Sequence, residues 1–101
     1  MTEEELYKKV IEKFGVDPQL GIAIEESAER IQAINKYFRI MARPHTEVEE
    51  EAAMEKIIEE TVDSDITSEQ TKIIFPYPAS WARWRKIKLD RLKEELTNER
   101  T

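Results

Sequence analysis

At 101 residues the chain has room for one small domain, and without cysteine it can build neither disulfides nor thiolate metal sites. Apolar residues make up 40%, which excludes a disordered polyelectrolyte, and a net charge of −6 disfavours nucleic acid as a partner. The first ten residues are charged rather than apolar, and no window approaches the ~18 apolar residues of a membrane span, so the expectation is a soluble, cytoplasmic protein without a membrane partner.

Residues 3–14 read as a first helix. Leu6, Val10, Ile11 and Phe14 recur at helical spacing, Thr2 and Glu5 resemble a capping box, and Gly15 ends it. A long second helix is expected over 18–40, capped by Asp17, with Pro18 in its first position where no N–H is needed. At about 100° per residue, Leu20, Ala23, Ile24, Ala28, Ile31, Ile34 and Phe38 form one stripe, read as core. Opposite lie Ile22, Glu26, Glu29, Ala33, Tyr37 and Ile40. A solvated face would not mix acids with those apolar neighbours, so Glu26 and Glu29 are read as pointing into a partly enclosed site.

Residues 41–47 form a loop that contains His45, with Pro44 as breaker and Thr46 as the next cap. The third helix is expected over 48–74, with a core stripe of Met54, Ile57, Ile58, Thr61 and Val62 and with Glu60 and Asp63 on the other side. After Asp63 the stripe is interrupted by Asp65, Ser68 and Lys72. One bent helix is preferred, against a rival break at Ser64 and Asp65 with Thr67 and Gln70 as a fresh capping box. Phe75-Pro76-Tyr77-Pro78 makes a turn, and Ser80 caps a basic last helix over 80–98. Its seam is Trp81, Trp84, Leu89, Leu92 and Leu96, with Arg85 and Lys88 inside it, and the tail from Thr97 is expected to fray. The tryptophans are read as packing residues in preference to base-stacking ones.

Two helices therefore carry carboxylate pairs at i and i+3, Glu26 with Glu29 and Glu60 with Asp63, and such pairs share a helix face. If the helices pack antiparallel, four carboxylates converge and require a hard divalent cation, Mg²⁺ or Mn²⁺, between them. With 22 acidic residues in the chain, chance pairs on a solvated face are the competing reading.

The runs EESAERIQAINKYFR and IIEETVDSDITSEQTKIIF resemble the MazG-like all-α nucleoside triphosphate pyrophosphohydrolases. That family carries Glu-Glu-x-x-Glu, a spacer, then Glu-Glu-x-x-Asp, matched here by Glu25-Glu26-x-x-Glu29 and Glu59-Glu60-x-x-Asp63. Ala28, Ile31-Gln32-Ala33, Lys36, Glu69-Gln70, Lys72 and the basic helix RWRKIKLDRLKEEL agree as well. The spacer from Arg30 is long for the family, and Ser64, Asp65, Ser68 and Thr71 are polar where relatives are apolar. The resemblance implies a single all-α domain over 1–101, a small four-helix bundle that assembles as a homo-oligomer, dimer or tetramer. It implies Mg²⁺-dependent hydrolysis of an NTP or dNTP to monophosphate and pyrophosphate. Glu26, Glu29, Glu60 and Asp63 are the expected metal ligands, with one of them, or Glu25 or Glu59, as the base. Gln32, Lys36, Arg85 and Lys88 are the expected substrate contacts. The alternative is a non-catalytic helical interaction module that keeps a metal or nucleotide site.

Overall fold

A computed structural model describes residues 1–98, which form four helices: α1 (Glu3–Phe14), α2 (Val16–Met41), α3 (Glu47–Ile74) and α4 (Pro78–Thr97). There is no strand among the described residues, and no helix is long and apolar enough to cross a membrane.

The boundaries follow local chemistry. Thr2 Oγ1 accepts the Glu5 N–H at 3.1 Å and starts α1. Gly15, at φ 95°, both ends α1 and begins α2. Its N–H donates to the Ile11 carbonyl at 2.8 Å, and its own carbonyl accepts the Gln19 N–H at 3.4 Å. A side chain there would be strained in the left-handed region. Because glycine turns the chain so tightly, Asp17 is not the cap expected of it; it sits inside the first turn of α2, where its charge suits the helix dipole. Between α2 and α3, Thr46 and Glu49 form a reciprocal capping box, with Glu49 N–H to Thr46 Oγ1 at 3.1 Å and Thr46 N–H to Glu49 Oε1 at 3.2 Å. His45 braces the same loop, its ring nitrogens 2.8 Å from the Arg43 carbonyl and 3.0 Å from Glu50 Oε2. Two acceptors favour the imidazolium, and the Arg43 carbonyl followed by Glu50 raises its pKa.

The third helix runs unbroken for 28 residues, so the rival break at Ser64 and Asp65 does not occur. The hydroxyls of Thr67 and Thr71 donate to the Ser64 and Thr67 carbonyls at 3.0 and 2.8 Å. These two hydroxyls are thus satisfied by their own helix.

α2 and α3 pack antiparallel and α1 leans on both. Two side-chain bonds tie the pair, Arg30 Nε to Thr61 Oγ1 at 3.2 Å and Ser64 Oγ to the Glu26 carbonyl at 3.4 Å. The buried apolar residues are Ala33, Ile40 and Ala53, small enough at two of three positions to let the helices approach closely. The stripes read as core from sequence are only partly covered: Leu20, Ala23 and Ile34 on α2 and Ile57 and Thr61 on α3 are half-buried, and the rest face outward. Ile24 is 73% exposed, Ile31 59% and Phe38 63%, and Met54, Ile58 and Val62 on α3 are exposed too. Leaving such a side chain in water forgoes roughly 1.5–3 kcal/mol. What turns inward is the face that bears the acids.

The α4 helix begins at Pro78, with Tyr77 as cap in place of the expected Ser80, which lies in the first turn. It stands apart, having no packing partner comparable to those of the other helices among the described residues, so the expected four-helix bundle is not closed within one chain. The radius of gyration is 17.6 Å, against about 13 Å for a compact domain of this length.

Candidate metal centre

Glu26 and Glu29 lie one turn apart on α2, and Glu60 and Asp63 one turn apart on α3. Antiparallel packing brings all four together, each offering an oxygen within 4.8 Å of the others. This is the one such acidic group among the described residues. The span is close to twice the roughly 2.1–2.4 Å bond from a carboxylate oxygen to a hard divalent cation.

Burial makes the cluster costly. Glu60 is 3% exposed, and Oε2 of both Glu60 and Glu26 is inaccessible and lacks any hydrogen-bond partner. A buried unpartnered carboxylate oxygen is an expensive arrangement for a protein to keep. The Glu26 carboxyl is held above its ordinary value, first by burial, then by the negative charges of Asp63 and Glu29. Glu29 is raised as well, first by its hydrogen-bond contact with Glu60 and then by that group's charge. Against four acids stands one cation in contact among the described residues: Lys56 Nζ lies 3.0 Å from Glu60 Oε1, and 3.5 Å from Oε2 of the neighbouring Glu59. That pairing raises the Lys56 pKa. The donor set is all oxygen and includes two residues with a buried, unpartnered oxygen, and it fits a hard divalent cation.

The other residues singled out from sequence divide into two groups. Gln32 and Lys36 line an open cleft of about 620 Å³ together with Glu29 and Glu60. Sequence reasoning missed Arg39 and Lys56, which line the same cleft. Arg39 is one turn past Lys36, and Lys56 one turn before Glu60, so helical spacing from residues already chosen was the available signal. An adjoining cleft of about 640 Å³ shares Lys36, Arg39 and Lys56 and adds Arg43. Glu25 and Glu59 are exposed and outside the four-carboxylate group, Glu59 being held by Lys56.

Arg85 and Lys88 are not brought to the carboxylates within one chain. They line a different groove of about 930 Å³ between α1, the end of α3 and α4, with Tyr7, Trp81 and Trp84. Although larger, that groove holds no group of converging carboxylates among the described residues. Trp81 donates from Nε1 to the Phe75 carbonyl at 2.8 Å, which makes it a brace for the turn.

Comparison with family models, with curated proteins and with solved structures finds no match for this chain.

Proposed function

We propose that the chain is a divalent-cation-dependent nucleoside triphosphate pyrophosphohydrolase that acts as a homo-oligomer, dimer or tetramer. The observation that carries this reading is the convergence of Glu26, Glu29, Glu60 and Asp63, with two buried oxygens unpartnered, beside a cleft lined by Lys36, Arg39 and Lys56. The resemblance of both carboxylate motifs to the MazG-like enzymes supports it.

Glu26, Glu29, Glu60 and Asp63 would hold Mg²⁺ or Mn²⁺. When bound, the cation neutralises phosphate charge and lowers the pKa of a bound water. The chain's own residues do the rest. Lys36, Arg39 and Lys56 supply positive charge for the phosphate chain, and Gln32 offers an amide to the sugar or base. A carboxylate at the rim of the cluster takes the proton from the attacking water. The water oxygen bonds to the α-phosphorus, the bond to the bridging oxygen breaks, and pyrophosphate leaves with the electron pair. Arg85 and Lys88 reach this cleft only if a second copy brings them there.

The test is a panel of NTPs and dNTPs with Mg²⁺ or Mn²⁺, assayed for pyrophosphate, beside Glu29→Gln and Asp63→Asn. Turnover should fall at least about 100-fold in each, because a Lewis-acid cation supplies several kcal/mol and each 1.4 kcal/mol is tenfold. Undiminished turnover in both variants refutes the assignment, and release of orthophosphate places the cleavage at another bond. The exposed apolar faces of α2, α3 and α4 favour a second reading, a non-catalytic interaction module. A melting temperature unmoved by metal plus nucleotide selects it, since a ligand of the folded state raises that temperature.

A further inference from the structure

Among the described residues, α4 has no packing partner comparable to those of the other helices. On α4, Trp84, Leu92 and Leu96 are 52%, 57% and 88% exposed, and on the outward face of α3, Met54, Ile58 and Val62 are 46%, 54% and 51% exposed. The chain as a whole exposes 8267 Å². A compact monomer of 11.9 kDa exposes about 5,900 Å². The excess of roughly 2,300 Å² per copy, about 4,600 Å² over two, lies within the roughly 2,000–5,000 Å² that an obligate homodimer covers over both copies.

Charge says which faces meet. The seam of α4 is flanked by Arg85, Lys88 and Arg91, all exposed. The outward face of α3 carries Glu51, Glu55 and Asp65, also exposed. By helical spacing the α2 stripe has fewer acids beside it. Lengths agree too, since Trp84 to Leu96 covers about 18 Å and Glu51 to Asp65 about 21 Å at 1.5 Å per residue.

Geometry says whose α3 it is. The corner between α3 and α4 is fixed by Pro76 and Pro78 and by two bonds to the Phe75 carbonyl, from Tyr77 N–H and Trp81 Nε1, each at 2.8 Å. Folding α4 back onto its own α3 would break that corner. We propose that α4 is an exchanged arm. In a homodimer, α4 of each copy lies along the outward face of α3 of the other, apolar stripe on apolar stripe and cations opposite acids. This deepens the oligomer reading above and is independent of the metal centre.

The experiment uses the full chain, free of cation and nucleotide, in sedimentation at low salt. Wild type should run as a dimer. Arg85→Glu with Lys88→Glu, and separately Glu51→Lys with Glu55→Lys, should each run as monomers of unchanged helical content by circular dichroism. All four positions are exposed, so the fold tolerates the changes. Mixed one to one, the two variants should form a heterodimer, because each arm then meets a face of opposite charge. Ile58→Glu with Val62→Glu should also be monomeric, and no charge variant of α4 should rescue it. A monomeric wild type, charge variants that still self-associate, or a mixture that stays monomeric each overturns the proposal. Loss of hydrolysis in an intact dimer would refute the proposed function without touching the arm exchange.

Discussion

Glu26 shows how the carboxylate cluster stores unfavourable charge. Its carboxyl is raised by burial and by the charges of Asp63 and Glu29, and Glu29 is raised by Glu60. A carboxyl whose folded-state pKa exceeds its unfolded value binds more protons in the folded state. Metal-free protein should therefore gain stability as pH falls from above those raised values toward the ordinary 4.5, read as a rising melting temperature. Glu26→Gln removes one of the crowded charges, so it should raise the metal-free melting temperature at neutral pH and flatten its pH dependence. The same substitution should abolish the gain that Mg²⁺ or Mn²⁺ gives wild type. Protons and cation compete for the same oxygens, so cation affinity should weaken over that same fall in pH. The i,i+3 spacing of these acids was legible in the sequence, as was their place beside Ala33 and Ile40. The cationic share was legible only in Lys36; Lys56 beside Glu60 looks in sequence like an ordinary i,i+4 surface pair, and its place in the cleft shows only once α2 and α3 are packed.

At the scale of elements, caps set the boundaries more than propensity does. The Thr46–Glu49 box holds the start of a 28-residue helix and the loop before it. Thr46→Ala should cost about 1 kcal/mol, within a range of roughly 0.5–2, and lower the melting temperature by about 4–8 °C per kcal/mol, with the cation response intact. Thr2 and Thr46 were readable as caps because their partners stand three residues on. Asp17 and Ser80 were misread, because the caps lie at Gly15 and Tyr77, two and three residues earlier than side-chain capping alone implies. The direction of the stripes was misread for a different reason. Periodicity reports that Ile24, Ile31 and Phe38 seek cover, and it carries no information about whether their own chain or another provides it.

For the whole molecule, the open shape makes stability a matter of protein concentration as well as temperature. If a second copy supplies the missing cover, the melting temperature of wild type should rise with concentration, and that of Ile58→Glu with Val62→Glu should not. Salt should weaken the association, since cations on α4 meet acids on α3 across an interface with an exposed rim and the screening length shortens to about 3 Å at 1 M. The closely packed α2–α3 pair has a further consequence, in how the hairpin is held. All four carboxylates lie within one helical hairpin closed by the short loop at 42–46. The ties beside the acids join residues 31 and 38 apart, at the end of the hairpin far from that loop, and contacts so distant in sequence carry a larger closure cost than those near the loop. A cation bound by the four carboxylates would therefore act as a clasp at the open end of the hairpin, holding two mutually repelling helix segments together where the loop constrains them least.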